Sequence, residues 1–383
     1  MTLESKPAGG PADYETAAAA SPKAVASFDD HGHGIGHKIQ HTLHQTPSLV
    51  PLIVLMLSLI VFGLLLGSKL FSPFALTLIL QQVQIVGIVA AAQSIVILTA
   101  GIDLSVGAIM VLSSVVMGQF TFRYGLPVEV SVACGLLCGT LCGYINGILI
   151  AYVKLPPFIV TLGMWQIVLA TNFLYSANET IRSQEIAETA PLLQFFGGNA
   201  NRDLLAVIAP NFDSHTNDNA LLGVLYQTNF TYGVIFMVLL VLVLAYALRQ
   251  TAWGRHVYAV GDDPEAAKLS GVQVNRVLIS VYMLSGLICG FAGWAMIGRI
   301  GSVSPTTGQL ANIESITAVV IGGISLFGGR GSILGTLFGA LIVGVFTLSL
   351  RLLGADAQWT YLLIGILIIG AVAIDQWIRK VSV

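Results

Sequence analysis

The chain has 383 residues, of which 55% are hydrophobic and only 9% are charged. A soluble domain carries roughly 25% charged residues, so this chain has too little charge to cover a water-facing surface. Its formal net charge of -2 gives no basic bias toward nucleic acid.

Residues 1–48 differ from everything after them. They hold "KPAGGPADYETAAAASPKAVAS" and then a histidine-rich run, with no continuous apolar core and A-x-A site of a signal peptide. This segment is expected to be a disordered cytoplasmic tail. In "HGHGIGHKIQHTLH", His33, His37 and His41 share one helical face. That spacing suits either a metal ligand set or a solvated tail with no chemical role.

From Leu49 onward, apolar runs of about 20 residues alternate with short polar turns, the length that crosses a hydrocarbon core of roughly 30 Å. Ten spans are expected: 49–67, 74–98, 102–121, 128–151, 158–176, 231–248, 277–297, 312–328, 332–352 and 359–377. The fold class is therefore all-α, a polytopic transmembrane bundle over residues 49–380. With both termini cytoplasmic, the inner connections carry Lys154, Arg249, Arg255, Lys268, Arg276, Arg330, Arg379 and Lys380. The outer ones carry Lys69, Arg123, Arg182, Arg202, Arg299 and Arg351. This bias has the sign of the positive-inside rule, and Trp359 and Trp377 mark the two ends of the last span.

Within the spans, the third polar-flanked stretch is "TAGIDLSVGAI". Gly101 allows a break there, and Asp103 or Ser105 can cap the following helix. A carboxylate at membrane depth is costly unless it faces a partner or a wet cavity, so Asp103 reads equally as a cap or as part of a transport site. The span at 128–151 has Gly135, Gly139, Gly143 and Gly147 on one face, a ridge for close packing within the subunit or between subunits. Cys134, Cys138 and Cys142 recur every fourth residue; with Cys289 they read as small packing residues rather than a disulfide framework.

The remaining polar residues in apolar runs are mostly uncharged. Gln93, Asn146, Thr161 and Asn172, with Asp103, Ser105 and Glu314, are the candidate translocation-pathway residues. Amides and hydroxyls both donate and accept hydrogen bonds, which suits a neutral polyhydroxylated solute better than an ion. Each amide also reads as an ordinary interhelical bond.

Two connections are long. The outer one, 177–230, is mildly acidic. The inner one, 249–276, contains Gly261, Pro264, Glu265, Ala266, Ala267 and Gly271. Pro264 after Asp262 and Asp263 starts a helix well, and Gly271 ends it. Such a short rigid helix is a lever for a partner protein. Further on, Gly323-Ile-Ser-Leu-Phe-Gly-Gly329 matches Gly101-Ile-Asp-Leu-Ser-Val-Gly107 at four of seven positions, a weak internal repeat. No G-x-x-x-x-G-K-S/T phosphate loop, zinc-protease motif or nucleophile elbow occurs, so nothing points to an enzyme.

"LTAGIDLSVGAIM", "GRHVYAVGDDPEAAKLSGV" and "AVVIGGISLFGGRGSILGTLFGA" resemble the permease subunits of bacterial ATP-binding-cassette importers for ribose, xylose, arabinose and fructose. The likeness runs from about residue 50 to 380. It implies a multi-pass protein of the bacterial inner membrane that imports a pentose or hexose from the periplasm. It implies no cofactor in this chain, ATP being bound by partner ATPase subunits. It also implies a homodimer and a periplasmic sugar-binding protein, and it makes the 261–271 segment the loop coupled to the ATPase. The alternative is an ion-coupled secondary transporter of a small polar solute, for which only Asp103 and Glu314 offer carboxylates.

Overall fold

The structure, a computed structural model, describes residues 48–208, 226–308 and 310–381. The N-terminal histidine run lies outside the described residues. Within them the chain is helical, and no sheet forms; two isolated β-bridges, Ile181 with Val303 and Asn199 with Thr231, are the strand-like contacts.

In chain order the helices are α1 (Leu49–Leu66), α2 (Pro73–Leu98), α3 (Val106–Phe122), α4 (Val128–Ala151) and α5 (Pro157–Ser176). A connecting segment follows, with α6 (Ser183–Thr189), a 3₁₀ turn (Pro191–Gly197) and α7 (Ala200–Ile208). Then come α8 (Tyr232–Gln250), α9 (Ala252–Asp262), α10 (Pro264–Leu269), α11 (Val274–Ile300), α12 (Ala311–Ile321), α13 (Ile333–Leu352) and α14 (Ala357–Val381). Seven of these are long and apolar enough to cross a membrane: α1 (extended to Lys69), α2, α4, α5, α8, α11 and α13. Helices α3 and α12 and residues 358–370 of α14 are shorter apolar segments.

Several helices start where a side chain provides for the free N–H groups of the first turn. Ser72 caps α2 by accepting from Ala75 N, with Pro73 in the first turn. Thr251 caps α9 by accepting from Gly254 N, and Asp263 caps α10 by accepting from Glu265 N and Ala266 N. Two expected spans are interrupted. The segment expected to span 102–121 is non-helical over 99–105 and becomes helical only at Val106. The one expected over 312–328 ends at Ile321, because Gly323 turns to φ +79° and the chain runs as a glycine-rich turn to Ser332. At 1.5 Å per residue, α12 is only about 17 Å long, near half a hydrocarbon core.

α2 forms the core: from Val83 to Leu98 its residues are buried on every side, against α8, α11, α12 and α13. That explains why the sequence there has no polar face. The glycine ridge of α4 packs against α11 inside the same subunit. A side chain at Gly143 would run into the Tyr282 carbonyl, and one at Gly139 into the Gly286 carbonyl. The ridge's close-packing role is therefore taken up within the chain. Helix α1 differs: Ile53, Leu57, Ile60 and Leu64 are exposed, an apolar surface of the kind lipid covers.

Candidate functional site

The break between α2 and α3, residues 99–105, is irregular and mostly buried backbone. It needs hydrogen-bond partners that a helix would supply by itself, because irregular backbone at membrane depth persists only where protein or a wet cavity satisfies it. Four helices supply them. Gln93 of α2, with its amide oriented to suit the network, donates to Asp103 O (3.0 Å) and accepts from Asp103 N (3.2 Å). Thr161 of α5 donates to Ile102 O (3.0 Å). Asn146 of α4 donates through Nδ2 to Ser105 Oγ (3.0 Å). Asn312 of α12 donates through Nδ2 to Leu104 O (2.6 Å) and accepts from Gly107 N (2.5 Å).

Asp103 itself is buried, and its Oδ1 accepts from Ser105 N (2.8 Å) and Ser105 Oγ (2.5 Å). Ser105 occupies the cap position of α3 but makes no side-chain cap bond. The orphan N–H of Gly107 is satisfied by Asn312 instead, from 205 residues away in sequence. The capping partner is thus tertiary, and no local pattern around residues 99–107 announces it. Of the candidate pathway residues, Gln93, Asp103, Ser105, Asn146 and Thr161 gather at this break. Asn172 lies further along α5, donating to Ala108 O at 3.4 Å. Glu314 lies apart, at the start of α12, with Arg299 and Arg351 as its charged neighbours; Arg299 also donates to Gln82 Oε1 (2.7 Å).

The two similar glycine segments meet in space. Gly329 N donates to Leu98 O (3.0 Å), and a side chain at Gly328 would press on Ala100. Gly261, at the end of α9, packs so closely on this junction that a side chain there would strike Leu98 O and Gly329 N. Tyr258 of α9 adds a bond from its hydroxyl to Gly331 O (2.9 Å). Burial pushes its phenol above its ordinary range, so it remains a donor at neutral pH. Helix α9 is therefore fastened to Leu98, just before the break, and to the second glycine segment at Gly329 and Gly331.

α10 projects from this anchor. Pro264, Glu265, Ala266 and Lys268 are exposed, Ala267 is buried against the bundle, and Gly271 closes the turn at φ +86°, which only glycine adopts readily. Leu269 stands 91% exposed at the tip.

The long connection after α5 is folded, not loose, up to α7. Ile181 and Val303 exchange backbone bonds, Trp294 donates to Leu192 O (3.1 Å), and Phe195 stacks on Tyr232.

Comparison with known proteins places this architecture. Residues 75–372 match the family described as the permease component of branched-chain amino acid transport systems. The fructose import permease protein of Rhizobium meliloti is 68% identical over 370 residues, covering 97% of this chain and 96% of that one. The ribose import permease protein of Bacillus subtilis (strain 168) is 35% identical over 312 residues, covering 82% and 88% respectively. The xylose transport system permease protein of Escherichia coli (strain K12) is 33% identical over 334 residues, covering 79% and 85%. No solved structure shows a significant match. A helical bundle with seven helices long and apolar enough to cross a membrane, matched along nearly its whole length, is a transport component and not an enzyme: the chain belongs to this family of transport-system permease components, alongside the sugar import permeases.

Proposed function

We propose that the chain is the membrane subunit through which an ATP-driven importer carries a monosaccharide, fructose foremost, from the periplasm to the cytoplasm. The observation that carries this reading is the 68% identity to a fructose import permease over almost the full length of both chains. In this reading the chain lies in the bacterial inner membrane with ten crossings and both termini inside. The helix count supports that: α1–α5, α8 and α11–α14 give an even number, with α12 and the 322–332 turn together completing one crossing.

In this reading α10 is the segment that an ATPase subunit grips, through Glu265, Ala266 and the exposed Leu269. Gly261 and Tyr258 carry its displacement to the junction of the two glycine segments, and Gly271 sets the turn that aims it. A second copy of the chain completes the path. The glycine ridge of α4 supports a different surface for that contact, because the ridge is occupied by α11. A periplasmic sugar-binding protein docks on the folded outer segment.

The break held by Gln93, Asp103, Ser105, Asn146 and Thr161 borders the path, with Asn172 beside it and Glu314 toward the outer side. An ion-coupled mechanism would need a carboxylate free to exchange its ion. Asp103 is bonded by Ser105 and Glu314 sits between two arginines, so neither supports it.

Deleting the gene tests the reading. Growth on fructose as sole carbon source and uptake of labelled fructose are expected to fall together, and to return with the wild-type gene. Unchanged uptake of fructose, ribose and xylose in the deletion strain would refute it.

A further inference from the structure

Acyl chains offer an amide no hydrogen-bond partner, so a span turns one outward at mid-depth only where something other than lipid covers it. Among the described residues of the seven long apolar helices, one amide or charged side chain is exposed away from a helix end: Gln166 of α5. The other exposed amides and charges, such as Glu129, Arg249 and Arg351, lie in a first or last turn. Gln166 sits near the midpoint of α5, roughly 14 Å along the axis from either end. It makes no hydrogen bond among the described residues.

The same face is shaped for close approach. Gly163 and Ala170 flank Gln166, both exposed, and a Cβ at Gly163 would meet nothing within 4 Å. Ile159, Ile167 and Leu174 continue the stripe as exposed apolar side chains. The opposite face of α5 is used inside the subunit, where Thr161 donates to Ile102 O. Helix α1 makes the contrast. Its outward face is apolar throughout, with its one central hydroxyl, Ser58, buried.

What covers Gln166 must supply both a donor and an acceptor at mid-membrane. A carboxamide is its own complement, since its N–H donates and its C=O accepts. In a two-fold contact a residue near the axis meets itself. A second copy of this chain therefore satisfies Gln166 with Gln166 of the partner subunit, and the small residues on either side let the two helices come close enough. The glycine ridge of α4, the other small-residue face, is already occupied by α11.

We infer that the Gln166 face of α5 is the surface through which two copies of this chain pack against each other in the membrane. The inference rests on the two-copy assembly of the proposed function and adds to it the helix that makes the contact and the residue at the axis. Because α5 also holds the break through Thr161, the partner sits one helix away from Ile102 and Asp103.

The test uses the complete importer in vesicles. In a chain whose Cys134, Cys138, Cys142 and Cys289 are replaced by alanine, Gln166→Cys is expected to form a disulfide-linked dimer on mild oxidation. Leu64→Cys, equally outward on α1, is expected to stay monomeric. In the chain with its native cysteines, Gln166→Leu is expected to weaken self-association in detergent about tenfold, with the amount of inserted protein unchanged. This second variant decides the matter if the cysteine-free chain fails to fold. The inference is overturned if inserted Gln166→Cys does not cross-link but reacts with a water-soluble maleimide, which would make this face a wet one. It is also overturned if Leu64→Cys cross-links equally, or if Gln166→Leu self-associates as wild type does. Cross-linking reads the contact without sugar or ATP, so an importer that cross-links at residue 166 but carries no fructose would remove the import reading and leave this surface standing.

Discussion

Asn312 connects two segments that a one-dimensional reading keeps apart. Its amide satisfies one carbonyl of the break and one N–H of α3. Asn312→Ala leaves both buried backbone groups unpaired, at about 1–3 kcal/mol each. The expected outcome is a lower unfolding temperature in detergent and a marked loss of uptake; Asn312→Ala with wild-type values for both would refute the assignment. Gly143 makes a different residue-scale prediction. A Cβ there collides with backbone of α11, whereas one at Gly163 on α5 meets nothing within 4 Å. Gly143→Val should destabilise by about 1–3 kcal/mol or abolish folding, and Gly163→Ala should be neutral. Size-exclusion profiles across a temperature series separate the two.

At the scale of elements, the proposed lever is α9 and α10, with α9 fastened to the bundle and the tip of α10 exposed. Gly261 and Tyr258 hold the base against Leu98, Gly329 and Gly331. Leu269→Asp should therefore abolish co-purification with the ATPase subunit while leaving insertion and the unfolding temperature unchanged. Tyr258→Phe removes one bond worth about 1 kcal/mol. It should leave ATPase binding intact while lowering the uptake obtained per ATP hydrolysed; a ratio equal to wild type would show that the bond does not transmit motion.

The short helix α10 was legible in the sequence because its signals are local: Pro264 after two aspartates, and Gly271 with three residues between it and the alanines. Most span positions were legible for the same reason, since each is a continuous apolar run. The end of α12 at Ile321 was not. The residues after it, Ile324, Leu326 and Phe327, are as apolar as a span, and hydropathy does not distinguish a glycine-turned segment buried in protein from a helix in lipid. The break was visible as a glycine next to a carboxylate, but Asn312, its tertiary cap, was not. The meeting of the two glycine segments was likewise hidden, because their likeness in sequence carries no information about distance.

For the molecule as a whole, the structure describes a conduit with a handle. The core is α2, wrapped by α8, α11, α12 and α13, and the irregular backbone beside it is held by side chains from α2, α4, α5 and α12. Among the described residues no group of three or more His, Cys, Asp or Glu could hold a metal ion, and relatives named for fructose, ribose and xylose align with this chain along most of its length. The account therefore makes the chain a path that depends on a separate source of energy. The direct test is fructose accumulation in proteoliposomes loaded with ATP, comparing this chain alone with the chain joined to its ATPase and sugar-binding subunits. The account predicts accumulation only in the complete assembly and its loss without ATP. Accumulation by the chain alone, driven by a proton or sodium gradient, would contradict it.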